Sequence, residues 1–349
     1  MSQIAITDLR HVLQTILTLR GLTEAEAYAV SEHYIDAELR GHRTHGVTKI
    51  LTMNQAIKAR AGRPVIVSDN GIAITVDAQR ELGPLGAQFA VDTLLSRAQS
   101  RPVAVVIVKN VGRYGCIYPF GKQIADAGKI GIIMNSGGPA TVAPVGGYTP
   151  VMGSNPFCLA FPRRGQGAAP VESLVIDMAT SETAWSHSFI GAVEGYPLPP
   201  NIFFDSKGNY TTRPQAARAL HAFGGPKGYA LCLALEIFCG ALLGAGMGST
   251  IETDYDCGFF FLALDPAVFR GSADAFYAEV EAFIHEIKSA PEREGEGPIM
   301  IPGEGSEQRR RAHLASGAVE IDEYTWSLLT RMALDPMTGM NLGVSKGFR

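Results

Sequence analysis

No Cys-x-x-Cys pair occurs in this 349-residue chain, and its five cysteines (Cys116, Cys158, Cys232, Cys239 and Cys257) are odd in number and set in apolar surroundings. A disulfide framework is therefore not expected, and each thiol reads as a small, reduced core residue. Charge is also scarce: charged residues make up 18% of the chain against 46% hydrophobic, and the formal net charge is -4. Burial on that scale excludes disorder as a description of the whole. Neither the net charge nor any basic stripe interleaved with aromatics supports nucleic acid as a partner. The one basic run, Arg309-Arg310-Arg311, is short and reads as a solvated helix face. The N-terminus lacks both the basic and the apolar region of an export signal, so the cytoplasm is the expected compartment. The longest apolar stretch, Tyr229 to Met247, is interrupted by Glu236 and bounded by Lys227. It reads as a buried helix rather than a membrane span.

Several motifs that carry chemistry are missing as well. There is no phosphate-binding Gly-x-x-x-x-Gly-Lys-Ser/Thr and no Gly-x-Ser-x-Gly nucleophile elbow. The nearest approach to a dinucleotide fingerprint, Gly244-Ala245-Gly246-Met247-Gly248, follows an apolar helical stretch rather than a strand, and reads as a helix C-terminus. His42 and His45 have no companion cluster of Cys, His or carboxylates at ligand spacing, so no metal site is expected.

What is present has a clear order. Leu9, Val12, Leu13, Ile16 and Leu17 recur at a helical period that Gly21 stops. Thr23 with Glu26 forms a capping box for a second helix ending at Gly41. Thr44 is placed to cap a third helix containing Val47, Ile50, Leu51 and Ile57. From residue 71 strand-like runs alternate with helical ones: 72–76, 103–108, 130–134, 157–161, 174–176 and 259–262, with helices over 85–98 and 117–127. Alternation of this kind predicts an α/β structure, a mixed sheet covered by helices. The division expected is an N-terminal helical segment (1–70), joined by a C-terminal helical tail (305–349), and an α/β domain (71–304). Three strands run into the turns Asn110-Val111-Gly112-Arg113, Asn135-Ser136-Gly137-Gly138 and Asp177-Met178-Ala179-Thr180-Ser181. Ligands of α/β sheets bind beyond strand ends, so these turns are the candidate pocket walls.

A helix starting near Thr44 would put His45 and Lys49 one turn apart on one face. A neighbouring cation keeps an imidazole neutral and able to accept a proton, and the same cation can grip a substrate carboxylate.

The string Glu38-Leu39-Arg40-Gly41-His42-Arg43-Thr44-His45-Gly46 resembles the Asp-Leu-Arg-Gly-x-x-Ser-His-Gly signature of the type-2 malate/L-lactate dehydrogenase family, which includes ureidoglycolate and sulfolactate dehydrogenases, diketogulonate reductases and cyclic-ketimine reductases. The likeness continues in family order through Val142 to Gly147, Gly153-Ser154-Asn155-Pro156, Asp177 to Ser181, Gly225-Pro226-Lys227-Gly228-Tyr229 and Pro302-Gly303-Glu304. It implies an oxidoreductase that uses NAD or NADP on a non-Rossmann fold, acts on a small carboxylate substrate, and forms a homodimer with the active site near the subunit boundary. His45 would be the general acid/base for hydride exchange at C2 of a 2-hydroxy or 2-oxo acid. The alternatives are reduction of a cyclic or N-alkyl imino acid, or a non-catalytic nucleotide-binding relative. Ser136, Asp177, Met178, Ala179, Lys227, Gly303, Glu304 and Gly305 fall where the family contacts the dinucleotide.

Three departures from the family pattern are expected to face the substrate or the nicotinamide. Lys49 stands where relatives carry Arg, Arg113 where many carry a second His, and Ser186-His187 where Gly-Lys is usual. Arg113 is the expected carboxylate clamp, with Thr44 and Lys49 beside the histidine.

Overall fold

The computed structural model describes residues 1–164, 172–335 and 338. The remaining positions of the expected C-terminal tail lie outside the described residues. The chain opens with strand β1 (Ser2–Ala5) and helices α1 (Ile6–Leu19) and α2 (Glu24–Leu39). Leu9, Leu13, Ile16 and Leu17 of α1 are fully buried, each such burial being worth roughly 1.5–3 kcal/mol. The Thr23 box forms: Thr23 Oγ1 accepts from the Glu26 amide, and Glu26 accepts from the Thr23 amide.

The third helix departs from expectation. Thr44 makes no cap; two 3₁₀ turns, Arg43–His45 and Val47–Thr52, precede a short helix α3 (Asn54–Ala59). Tertiary contact wins over the helical pattern here. The Glu38 carboxylate accepts from the Val47 amide at 3.0 Å and pulls the chain out of α-helical register at Gly46.

Next come β2 (Val65–Asp69), β3 (Ala73–Glu81), α4 (Gly83–Ala98), β4 (Val103–Val111), α5 (Tyr118–Asp126), β5 (Ile130–Asn135), β6 (Phe157–Phe161) and β7 (Leu174–Met178). They are followed by α6 (Ser186–Glu194), the short pair β8 (Phe203–Phe204) and β9 (Ala219–Leu220), α7 (Pro226–Cys239), β10 (Gly258–Leu264), α8 (Pro266–Arg270) and α9 (Ala273–Lys288). The described chain closes with α10 (Glu304–Ser316), β11 (Ala318–Ile321) and α11 (Glu323–Leu334).

Seven strands form one sheet in the order β2-β3-β4-β10-β5-β6-β7. Only β3 and β4 pair in parallel; the other neighbours are antiparallel. Because β10 runs against both β4 and β5, those two strands point the same way, and β7 points with them. The turns after β3, β4, β5 and β7, and the loop before β10, therefore meet at one end of the sheet. The dense core lies where Val106, Val108, Phe259, Phe261 and Ile133 meet α4 and α5. A second core joins α1, α2 and α11, and β1 pairs with β11 to close it.

Two readings of surface segments need correction. Helix α7 is not wholly buried: Cys232, Leu235 and Cys239 face inward, while Leu233 and Ile237 are exposed. The Arg309–Arg311 run does more than meet solvent, since Arg309 Nε donates to the Arg40 carbonyl and Arg310 Nε to Asp36. Those bonds fasten α10 to α2. All five cysteines are buried and free, and no helix is long and apolar enough to cross a membrane among the described residues.

Candidate active site

The end of the sheet where the turns gather holds a cleft of about 220 Å³. His45, Lys49 and Thr52 enter it from the 3₁₀ turns, Tyr34 from α2, and Gly112 to Gly115 from the turn after β4. Asn135 ends β5 and Gly137 follows it, and Asp254 and Tyr255 come from the loop before β10. The structure thus brings Arg113 to His45 and Lys49, which are near neighbours in sequence but distant from it.

His45 is partly buried, and its Nδ1 lies 2.9 Å from the Thr44 hydroxyl. Burial, then the cations Lys49 and Arg113 and the neighbouring His42 and His33, hold the imidazole's pKa down to about 3. It is neutral at pH 7. A hydroxyl both donates and accepts, so Thr44 can serve either neutral tautomer and leave Nε2 as base or as donor. Lys49 is lowered to about 8 by burial and by Arg113, with Asp254 opposing. Arg113 Nε stands 3.0 Å from Asp254 Oδ1, which keeps the guanidinium firmly charged.

The histidine loop is pinned from two sides. On one, buried Glu38 holds the Val47 amide, and its own carboxyl is pushed up to about 7 by that burial. On the other, Ser186 Oγ of α6 donates to the Thr44 carbonyl at 3.2 Å, and Arg43 pairs with Glu194 at 2.9 Å. A Cβ at Gly46 would overlap the Glu38 carboxylate. Gly46→Ala is therefore expected to break the Glu38–Val47 bond and cost about 1–3 kcal/mol of stability. Equilibrium unfolding in denaturant measures that loss; an unchanged midpoint would show that the loop has room the structure does not give it.

The floor of the cleft rests on a buried network. Asn155 accepts from the Gly137 amide at 2.8 Å and donates to Glu236 at 2.5 Å, and Glu236 accepts from the Gly248 amide. A Cβ at Gly137 would press on the backbone of Ser154. Glycine there lets the turn after β5 close directly on the Ser154–Asn155 backbone.

The residues expected to contact the dinucleotide sit at the same end of the sheet but do not line the cleft. Ser136 is fully buried, and its hydroxyl accepts from the Gly258 amide, so it supports the turn from behind. Asp177 Oδ2 accepts from the Ile117 and Tyr118 amides at the start of α5. Gly303 packs near Tyr118 and the Val175 carbonyl, which puts the Gly303–Gly305 turn beside Asp177. Glu304 is engaged by Lys288 and the Ile301 amide. Met178 is exposed, Ala179 is half-buried, and Lys227 is exposed at the first turn of α7. The turn after β7 is tied to the cleft indirectly, through Thr180, which donates to the Ser154 carbonyl. His187 also lies outside the cleft, its Nδ1 2.7 Å from the Thr183 hydroxyl. Sequence reasoning missed Tyr34, Glu38, Asp254 and Tyr255. Glu38 opens the signature string but its role there is not marked by residue type, the other three sit in no motif, and only the antiparallel return of β10 brings the last two to His45. Among the described residues no group of three or more His, Cys, Asp or Glu is arranged to hold a metal ion.

Comparison with known proteins adds an independent line. The family model for Malate/L-lactate dehydrogenase matches residues 4–330. Hydroxycarboxylate dehydrogenase B of Escherichia coli strain K12 is 30% identical over 337 residues, 92% of this chain and 91% of its own length. Delta(1)-pyrroline-2-carboxylate reductase of Pseudomonas fluorescens is 32% identical over 276 residues, 73% of this chain and 78% of its own. Among solved structures, the sulfolactate dehydrogenase from Methanocaldococcus jannaschii is similar with a TM-score of 0.82 at 25% identity, over 95% of this chain and 97% of that one.

Proposed function

The chain belongs to the malate/L-lactate dehydrogenase family, and from that premise we propose that it moves a hydride between NAD or NADP and C2 of a small 2-hydroxy or 2-oxo acid. The observation that carries the reading is a neutral imidazole, His45, sharing one cleft with Lys49 and Arg113. In oxidation Nε2 of His45 takes the proton of the substrate hydroxyl, while Thr44 holds Nδ1 and the ring's orientation. In reduction the same nitrogen donates to the carbonyl oxygen. Lys49 and Arg113 hold the carboxylate and so aim C2. Met53, Ala56, Leu82 and Pro84 give the cleft an apolar side that limits water.

Gly112, Gly115 and Gly137 line the cleft without side chains, which suits the flat nicotinamide end. The rim formed by exposed Met178 and half-buried Ala179 and Gly303–Gly305, with exposed Lys227 farther out, supports a path for the rest of the coenzyme. When bound, the nicotinamide gives or receives the hydride at its C4. The mostly antiparallel sheet supports a binding mode unlike the Rossmann one.

A second reading, reduction of a cyclic imino acid, is favoured by the likeness to the pyrroline-carboxylate reductase. Pyruvate, oxaloacetate and Δ1-pyrroline-2-carboxylate, each assayed with NADH and NADPH, separate the two. Turnover of a 2-oxo acid above that of the imine supports the first, and oxidation of neither coenzyme by any of them sinks both.

Homodimer formation belongs to the same proposal. Leu233 and Ile237 of α7, with Leu242 beyond it, are 41%, 52% and 63% exposed, an apolar face suited to a second copy. Light scattering should give twice the chain mass; a monomer at micromolar concentration would contradict it. Five buried free thiols suit the reducing conditions of the cytoplasm.

A further inference from the structure

We infer that Asp254 sets the charge capacity of the cleft, making it a site for acids with one carboxylate rather than two. The inference rests on the reading of the cleft as the substrate site, and it concerns which acids enter.

Three lining side chains are of charged type: Lys49, Arg113 and Asp254. Arg113 and Asp254 are partners at 3.0 Å, so the field of the guanidinium is largely cancelled by the adjacent carboxylate. Arg113 can still offer hydrogen bonds from its fork, but it no longer adds a net charge to the site. Among the described residues lining the cleft, Lys49 is the cation with no carboxylate in ion-pair contact. Two cations and one anion leave a single positive charge. His45, held neutral by burial and by its cationic neighbours, supplies no other.

A monocarboxylate such as a 2-oxo acid brings this balance to zero. A dicarboxylate of similar size leaves one negative charge uncompensated in a half-enclosed cleft, and its second carboxylate faces Asp254 as a like charge. Discrimination of that kind comes from a repulsive group as much as from an attractive one. Asp254 acts through Arg113 and through its own field; it handles no proton of the reaction. The family signature carries no trace of it, because the residue lies in the loop before β10, outside every motif block.

The test is calorimetric titration of the protein, saturated with NADH or NADPH, with oxamate (one carboxylate) and tartronate (two). The wild-type protein should bind oxamate at least about tenfold more tightly. Asp254→Asn keeps the shape and removes the charge, and should move the ratio about tenfold toward tartronate. Asp254→Glu should restore the wild-type order. In parallel, kcat/KM for pyruvate over oxaloacetate should fall in Asp254→Asn through the KM for oxaloacetate, with kcat little changed. A wild-type preference for tartronate, an unmoved ratio in Asp254→Asn, or binding of neither acid overturns the inference. Should Asp254→Asn fail to fold, the wild-type ratio still decides. Selective oxamate binding with no turnover of any acid would sink the proposed reaction and leave the charge assignment standing. Turnover that prefers the dicarboxylate would do the reverse.

Discussion

Exchanging His45 for Asn is expected to lower kcat by roughly 10²–10⁴-fold in both directions, the usual worth of a positioned general acid/base. Asn fills much of the same volume and can still pair with the Thr44 hydroxyl, so the loop between Glu38 and Val47 should keep its shape. What it cannot do is carry a proton. The loss should therefore appear in kcat, while the coenzyme dissociation constant, read from nicotinamide fluorescence, stays within about a factor of three. Equal losses in coenzyme affinity and turnover would mean that His45 builds the site rather than working in it. The neutral state of the imidazole makes the prediction sharper. Its pKa near 3 is set first by burial and then by Lys49. In the free enzyme it gains a proton only below that pH, so kcat/KM for oxidation should show no acid limb from His45 between pH 5 and 7.

The alkaline side belongs to Lys49. Its ammonium is lowered from the ordinary lysine value to about 8, by burial first and then by the charge of Arg113. As pH rises through 8 the group loses its proton and the cleft loses its uncompensated cation. For the free enzyme, kcat/KM for a carboxylate substrate should then fall, approaching tenfold per pH unit. At saturation the limb should move to higher pH, because a bound carboxylate favours the ammonium. Lys49→Arg keeps a charge that does not titrate in this range and should abolish the limb. Lys49→Met should be poor at every pH and equally flat. A wild-type profile level to pH 10, or an unchanged limb in Lys49→Arg, would remove Lys49 from the substrate.

How far these residues could be read from sequence follows from how local each signal is. The six strand-like runs are strands, and β6 matches Phe157–Phe161 at both ends. Short apolar runs bounded by glycine and polar turns leave little freedom. The Thr23–Glu26 box is likewise a contact over three residues. The break after His45 was not legible, because it depends on Glu38 reaching Val47 across the turn. Strands β1 and β11 were missed for the same reason: each is four residues long, and each is defined by a partner at the far end of the chain. His45 is singled out by Lys49, four residues on, and by the surrounding signature, even though the continuous helix expected to align them is two 3₁₀ turns. Arg113 was found as a departure, but the carboxylate that balances it was not. The sheet places Asp254 there, since the β10–β4 pairing returns residues near 254 to the end of β4. For the dinucleotide, sequence named a neighbourhood rather than a contact set, as Ser136 and Asp177 show by turning their polar atoms to the backbone.

The most direct measurement is a crystal structure of the protein with nicotinamide coenzyme and oxamate bound together. The substrate-like carbon should lie between the nicotinamide C4 and Nε2 of His45, with the carboxylate on Lys49 and the ring beside Gly137. A coenzyme seated elsewhere, or a His45 ring turned away from the acid, would contradict the assignment of this cleft as the reaction site.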